Sequence, residues 1–479
     1  MMIAPVTWLA IAILVALAGA FTAGRLRDPW RAARCGLAFS AGTLAATLAA
    51  SAAFYLHTPA QKSSVWGARG MILAVDDLNA LLLPLVALLH FLTALATPRT
   101  RIRQFSATWS LVTEAIALAT FGCADAWLLV SLLAAGVLPP LVELVNRAKP
   151  VRVYGLHMLV FVALLAAGRA LLEPAADGGL RAQSAVAAIA LLVAVMVRCG
   201  TVPVHAWVTD WFEHASFGIG LLFVAPLTGA YAAARLLVPV SPDWALRVLG
   251  IAALVTAVYS AAMATVQRDA RRFFAFLFLS HGSLVVVGLE MIHPVSLAGG
   301  LNVWSSVLLA LGGFGLTLRA LEARFGRLSL ARYHGLYDHS PSLAVCFLLT
   351  GLASVGFPGT VGFVGAEMLV HGAVGVDPAV GVAVVAAGAL NGIAVLRAYF
   401  LLFTGTRHPS AISLGITPRE RIAVLTLTVL ILGGGLFPQP AVTTRYRAAE
   451  QLLRARASEN SDPAERDGPH TLVPDARSG

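Results

Sequence analysis

The stretch that decides the fold reads Met196-Val-Arg198-Cys-Gly-Thr-Val-Pro203-Val-His205-Ala-Trp207-Val-Thr-Asp210-Trp-Phe-Glu213. It ends a long apolar run with a single arginine, breaks at Pro203, and then presents polar side chains before the next apolar run. Proline interrupts a helix because it lacks the backbone N–H and its ring clashes with the preceding turn. An ionisable side chain inside hydrocarbon is costly and survives mainly where it is paired or used. We therefore treat Arg198 as a candidate functional residue.

Composition identifies an integral membrane protein. Hydrophobic residues make up 58% and charged residues 12% of the 479 residues, whereas a soluble domain has about 25% charged residues. Apolar runs of roughly 20 residues, long enough for a helix to cross the hydrocarbon, recur along the chain. They predict an all-α polytopic fold of about fourteen transmembrane helices, near residues 3–22, 35–56, 74–96, 105–122, 124–146, 152–172, 180–200, 213–238, 243–266, 271–292, 296–319, 343–374, 377–405 and 421–440.

The chain is divided into a transmembrane domain, residues 1–440, and a C-terminal segment, residues 441–479. The first apolar run is interpreted as a helix, because it lacks the basic start and the cleavage site of a signal peptide. The C-terminal segment is predicted to be amphipathic from Thr443 to Glu459 and then disordered.

Charge is distributed as in a membrane protein. The formal net charge of +10 comes from arginines spread over alternate loops, not from one patch that would suit nucleic acid. Loops rich in Lys and Arg remain in the cytoplasm. Both termini are therefore predicted to lie outside.

Two spans are predicted to be broken. Pro203 interrupts span seven, and Gly356-Phe-Pro358-Gly359 lies midway along span twelve. Irregular backbone at membrane depth is tolerated only where it lines a cavity or is buried in protein. After the second break, Glu367 and His371 are four residues apart and share one helix face.

These residues resemble the antiporter-like membrane subunits of respiratory complex I, of multisubunit cation/proton antiporters, and of the DabB branch of inorganic-carbon accumulation complexes. The link after span seven matches the family pattern at Pro203, His205, Trp207, Asp210 and Glu213. Further matches are Gln267-Arg-Asp269-Ala-Arg271-Arg272 after span nine, the glycine-proline break of span twelve, and Leu396-Arg397-Ala-Tyr399-Phe400. The resemblance covers about residues 70–410.

Several family positions are substituted. Arg198 stands where the family has a lysine, and Ala134-Ala135-Gly136 stands where it has a glutamate in span five. Asn302 and Ser306 occupy the positions of a histidine and a lysine in span eleven. Arginine stays protonated in proteins, so Arg198 is expected to act as a fixed charge or gate, with Glu143 as its nearest anionic partner.

The resemblance implies a proton path, and the groups that remain for one are Glu114, Glu143, His157, Glu367, His371 and His281. The alternatives are structural: a static ion pair between spans five and seven for Arg198, a polar pair facing water for Glu367 and His371, and a bond to a backbone carbonyl for His281. The link residues His205, Asp210 and Glu213 belong to the family motif, and the acids also suit a helix N-terminus. Supporting positions are Asn302, Ser306, Gln267 and Asp269, of which Asp269 is expected to anchor a helix end.

The resulting hypothesis is a proton-conducting membrane subunit in a bacterial inner-membrane complex. The resemblance to the DabB branch implies inorganic-carbon accumulation with a cytoplasmic, zinc-dependent DabA-like partner, and other membrane subunits are compatible with it. One alternative is a membrane anchor or assembly subunit that has lost conduction. Another is a subunit of a respiratory or cation/proton antiporter complex. The four widely spaced cysteines form no metal or disulfide pattern, so no cofactor and no catalytic site are expected in this chain.

Overall fold

The bundle is built almost entirely of helices. The structure is a computed structural model that describes residues 4–56, 72–174, 180–181, 185–405 and 415–460. Its α-helices are α1 (Pro5–Arg25), α2 (Pro29–Leu56), α3 (Leu82–Leu95), α4 (Ala107–Gly122), α5 (Ala126–Ala135), α6 (Leu138–Asn146), α7 (Arg152–Ala170), α8 (Ala185–Cys199), α9 (Ala206–His214), α10 (Phe217–Val224), α11 (Thr228–Ala232), α12 (Asp243–Val266), α13 (Ala270–Glu290), α14 (Pro294–Ser306), α15 (Gly312–Phe325), α16 (Pro341–Ser354), α17 (Val361–Val376), α18 (Pro378–Phe403), α19 (Pro418–Leu436) and α20 (Gln439–Asn460). Two short strands, β1 (Glu173–Pro174) and β2 (Leu180–Arg181), form a small antiparallel sheet.

The helices confirm an all-α polytopic membrane fold. In the described ranges, nine helical segments are long and apolar enough to span a membrane, or ten if the bent pair α19 and α20 counts as one span. Shorter apolar helices, among them α3, α8, α16 and α17, account for further predicted spans. The predicted number of fourteen is not confirmed, because several of those runs fold as helices shorter than a full span.

Both predicted breaks are present. Helix α8 ends at Cys199 and α9 begins at Ala206, while α16 ends at Ser354 and α17 begins at Val361. Gly200, Gly356 and Gly359 have positive φ angles of 69°, 83° and 84°. Such angles are readily available to glycine, since it lacks a Cβ. The chain can therefore leave and resume a helix inside the bundle at these points.

Small residues bring the central helices into close contact. A Cβ added to Gly288 of α13 would lie 2.5 Å from the Gly300 Cα of α14. A Cβ added to Gly365 of α17 would lie 2.7 Å from the Val303 amide nitrogen of α14. Close backbone approach at small residues is typical of helix packing in membranes. These contacts hold α13, α14 and α17 together around the second break.

The segment after α19 is joined to the bundle. Helix α20 bends by 75° from α19, and the predicted amphipathic stretch lies within it. Arg445 is fully buried and donates hydrogen bonds to the Leu78 carbonyl and the Ser305 hydroxyl. Residues 441–460 are thus part of a packed helix, and the predicted disordered tail, residues 461–479, lies outside the described residues.

Candidate functional site

The Arg198 guanidinium is enclosed where α8 meets α10 and α11. The side chain is 7% exposed, and its Nη2 donates a hydrogen bond to the Thr228 hydroxyl at 2.6 Å. Its Cζ lies 4.4 Å from the ring centre of Phe223 and 5.5 Å from that of Trp207. Aromatic faces attract a cation, because their quadrupole is negative on the face. A neutral hydroxyl and two rings therefore surround a full positive charge.

Glu143, expected to pair with Arg198, lies elsewhere. Its carboxylate accepts a hydrogen bond from the Ser216 amide at 3.2 Å and lies 3.7 Å from the Arg147 guanidinium. Glu143 is in the last turn of α6, beside the junction of α9 and α10, whereas Arg198 is next to the break after α8. Within the described part of the chain, no carboxylate comes within ion-pair distance of Arg198. The expected pairing is therefore not formed.

A buried carboxyl group occupies α4. Glu114 is fully buried, and both of its oxygens lie within hydrogen-bond distance of the Ser40 hydroxyl, at 3.3 and 3.1 Å. No cationic partner for it is found among the residues that the structure covers. Ser40 also lines a small cavity between α2, α3 and α4, together with Thr97 and Ser110. Unlike a guanidinium, a carboxyl group at this position is able to bind and release a proton.

Arg319 connects this cavity to a second, basic one. From α15 it donates hydrogen bonds to the Thr93 carbonyl at 2.8 Å and to the Thr97 hydroxyl at 2.9 Å. It also lines a small cavity with Arg101, Arg147, Arg271 and Glu322. Phe105 borders both cavities. Polar groups thus follow one another from the basic end of the bundle, through Arg319 and Thr97, to Ser40 and Glu114.

The pair predicted in span twelve faces outward. Glu367 and His371 lie on an exposed face of α17, and no hydrogen bond or ion pair to either is seen within the described ranges. The opposite face of α17 is packed on α14. These two side chains are therefore separated from the buried groups around Glu114 and Arg198.

The other predicted path residues bond to their own helices. His281 is buried in α13, and its Nδ1 lies 2.8 Å from the Leu277 carbonyl oxygen. His157, half-buried in α7, makes the same type of contact with the Val153 carbonyl at 2.8 Å. These contacts agree with the structural alternative for His281, the satisfaction of a backbone carbonyl.

The two polar positions of α14 are buried. Asn302 donates a hydrogen bond to the Ala298 carbonyl at 3.0 Å and lies 3.6 Å from the Met368 sulfur. Ser306 is close to Gly362, since a Cβ built there would lie 3.0 Å from the Ser306 Oγ. Both residues therefore face α17, and Ser306 lies beside the second break.

The motif link after the first break is stabilised by local contacts. His205 packs its ring edge against Tyr259, with ring centres 5.4 Å apart. Asp210 lies 3.2 Å from His214, and Glu213 lies 3.7 Å from Arg272. These are helix-surface and interhelical pairs at the basic end of the bundle.

Two residues that follow α12 hold helix ends together. Asp269 is the N-cap of α13, where its side chain accepts hydrogen bonds from the Arg271 and Arg272 amides, and such capping satisfies N–H groups that the helix leaves free. The Gln267 carbonyl accepts a hydrogen bond from Arg397 of α18 at 3.1 Å. Asp269 therefore acts at a helix end, as the sequence predicted.

Sequence reasoning missed several buried polar groups. Arg235 pairs with Asp76 and donates a hydrogen bond to the Tyr231 hydroxyl. Arg319 was also overlooked. Both are single arginines within apolar runs, which is the signal that singled out Arg198. Ser40 carried no comparable signal, because serines are common in membrane helices.

The family comparison covers the part of the chain that holds both breaks. Residues 155–391 match the transmembrane family of NADH:quinone oxidoreductase and Mrp antiporter. This segment runs from α7 into α18 and includes Arg198, the motif link and α17. Over this segment, which is just under half of the chain, the sequence matches that family.

Individual relatives agree with that assignment. Subunit M of the Pseudomonas aeruginosa NADH-quinone oxidoreductase is 29% identical over 270 residues, which is 53% of this chain and 51% of the relative. Subunit M of the Methanosarcina mazei F(420)H(2) dehydrogenase is 28% identical over 187 residues, 38% of each chain. The chain thus matches about half or less of the length of these curated relatives.

Solved structures show the same fold over nearly the whole chain. A chain of respiratory complex I from Thermus thermophilus superposes with a TM-score of 0.80 at 21% identity, over 94% of this chain and 99% of the other. A chain of the Mrp complex from Dietzia sp. gives a TM-score of 0.80 at 19% identity, over 94% and 98%. The chain therefore shares its fold with these two chains over nearly its whole length.

Proposed function

We propose that this chain is a proton-conducting subunit of a multi-subunit membrane complex. The observation that carries the proposal is the polar route from the basic cavity, through Arg319 and Thr97, to the buried Glu114 carboxyl. Conduction requires a group that can bind and release a proton inside the bundle, and Glu114 is such a group. Arg198 supplies a fixed positive charge farther along the interior.

The exposed face of α17 supports assembly with other membrane subunits. A carboxylate that faces lipid near the middle of a spanning helix is costly, so such groups face a protein interior or a partner. Glu367 and His371 lie near the middle of α17 on its exposed face. A neighbouring membrane subunit that covers this face would remove both side chains from lipid.

For the work driven by the proton flow, we propose accumulation of CO2 or bicarbonate. This part rests on the resemblance of the Gly356 to His371 pattern to the DabB branch. A cytoplasmic, zinc-dependent DabA-like protein would bind the basic face, with zinc held by that partner. The chain would lie in the bacterial inner membrane with both termini outside.

Proton flux into proteoliposomes tests conduction. We expect the wild-type complex, reconstituted with an internal pH dye, to acidify or alkalinise the lumen. Glu114→Gln and Thr97→Val should lower this flux on the order of tenfold or more, because each removes one member of the relay. Asp28→Asn changes an exposed acid and serves as the control with unchanged flux.

The second candidate is a membrane anchor that has kept the fold and lost conduction. The observation in its favour is that Arg198, which cannot carry a proton, is bonded only to the neutral Thr228 among the described hydrogen-bond partners. Flux from the wild-type complex no greater than from empty liposomes, while the partner still functions, would select the anchor. Co-purification with quinone-reducing or sodium-antiport subunits would instead place the chain in a respiratory or antiporter complex.

A further inference from the structure

The starting observation is that Arg198 differs from the other buried arginines of the described ranges. Four of them bind a carboxylate or a backbone carbonyl: Arg235 binds Asp76, Arg456 binds Asp243, Arg319 binds the Thr93 carbonyl, and Arg445 binds the Leu78 carbonyl. Arg198 has neither kind of partner in the described part of the chain. Its one hydrogen bond is to the Thr228 hydroxyl.

The charge of Arg198 is therefore uncompensated by any residue that the structure describes. A guanidinium has five N–H donors, and Thr228 accounts for one of them. The titratable side chains that act on this charge are Tyr154 and Cys199, which are neutral in their usual protonation states. Burying an unpaired charge is strongly unfavourable, so a counter-charge from outside the chain would lower the free energy of the folded state.

Space for such a counter-charge lies beside the guanidinium. Arg198 and Thr228 line a small cavity between α4, α5 and α10, and Gly136 and Pro139 also line it. The wall near Gly136 is the region where the sequence has Ala134-Ala135-Gly136 and no acidic residue. Side-chain carboxylates do not line this cavity.

The groups that face the cavity select an anion. Thr228 accepts its hydrogen bond from Arg198, so its own hydroxyl hydrogen is free to donate, and no acceptor for it is found within the described ranges. Guanidinium N–H and hydroxyl O–H groups are both donors. A single positive charge is balanced by a single negative charge, and most of the other lining side chains are apolar.

We propose that Arg198 and Thr228 bind one small monovalent inorganic anion, a halide or bicarbonate, in the cavity between α4, α5 and α10. The anion supplies the negative charge that no carboxylate of the described residues provides. This proposal stands apart from proton conduction, since binding is measured at equilibrium without a proton gradient.

Binding of radiolabelled chloride, with unlabelled bicarbonate as competitor, tests the site. The full-length chain in lipid nanodiscs should bind about one chloride per chain in a saturable manner, and bicarbonate should displace it. Arg198→Met removes the charge, and Thr228→Asp supplies an internal carboxylate beside Arg198. Each change should weaken chloride binding at least ~10-fold, because charge-assisted hydrogen bonds contribute most to binding an anion.

Thr120→Val is the matched control. Thr120 lines the same cavity, but its hydroxyl donates to the Ile116 carbonyl at 2.7 Å, so chloride binding should be unchanged. If Arg198→Met fails to fold, chloride binding by Thr228→Asp tests the proposal, because this variant keeps the arginine. The proposal is overturned if the folded wild-type chain binds neither chloride nor bicarbonate saturably, or if Thr228→Asp binds chloride as tightly as the wild type.

Discussion

At the scale of single residues, the buried charges fall into two groups. Some are closed ion pairs, such as Arg235 with Asp76 and Arg324 with Glu420. Two others, Glu114 and Arg198, have only a hydroxyl group as hydrogen-bond partner among the described residues. Closed pairs hold helices together, whereas charges without a counter-ion are available to protons or ions. The two groups should respond differently to mutation.

The closed pairs should contribute to stability. Asp76→Asn removes the carboxylate from Arg235 inside the bundle, and breaking a buried pair from one side typically costs about 3–5 kcal/mol. We expect a loss of this order in the free energy of unfolding, measured by detergent denaturation. Asp28→Asn, which breaks an exposed contact to Arg31, should change it by less than ~1 kcal/mol. Equal effects of the two changes would contradict this view of the Asp76 pair.

At the scale of elements, the second break depends on close backbone contact. A Cβ on Gly362, at the start of α17, would lie 2.0 Å from the Ala353 carbonyl oxygen of α16. Gly362→Ala should therefore displace α17 and destabilise the protein by about 1–3 kcal/mol, the usual cost of overpacking. The measurement is again detergent denaturation, with proton flux as the functional readout.

Gly388→Ala provides the control for this prediction. Gly388 lies in α18 with nothing within 4 Å of an added Cβ. There the alanine should be neutral or stabilise α18 by about 0.5–1 kcal/mol, because it lowers the entropic cost of the helix. If Gly362→Ala is tolerated as well as Gly388→Ala, the close contact between α16 and α17 is not a constraint.

At the scale of the whole molecule, α20 connects distant parts of the chain. Arg445 bonds to residues before α3 and in α14, and Arg456 bonds to the end of the span that contains α11 and to Asp243 of α12. Arg445→Met leaves the Leu78 carbonyl without this donor, which should cost about 1–3 kcal/mol. We expect faster proteolysis near the α19–α20 bend. Arg454→Met, at an exposed site, should leave the cleavage rate unchanged.

The sequence predicted much of the fold and less of the site. The breaks at Pro203 and Gly356 were predicted correctly, because proline and glycine act on the local backbone. Asp269 was recognised as a helix anchor because an aspartate before a helix can cap its first N–H groups, which is also a local property. The partner of Arg198 was not predictable, since Glu143 and Arg198 are far apart in sequence and their separation depends on how α6 and α8 pack.

The sequence by itself determined that this chain is a polytopic helical membrane protein with two broken spans, and that it resembles the antiporter-like family. Hydropathy, helix-breaking residues and motif spacing are local properties, so they can be recognised in the sequence without knowledge of how the helices pack. The tertiary structure alone decided the surroundings of the polar side chains. Arg198 forms a hydrogen bond with Thr228, Glu114 forms one with Ser40, and Glu367 lies on the exposed surface of the bundle. These contacts follow from the rotation and depth of each helix, which are fixed by backbone contacts such as that of Gly288 with Gly300.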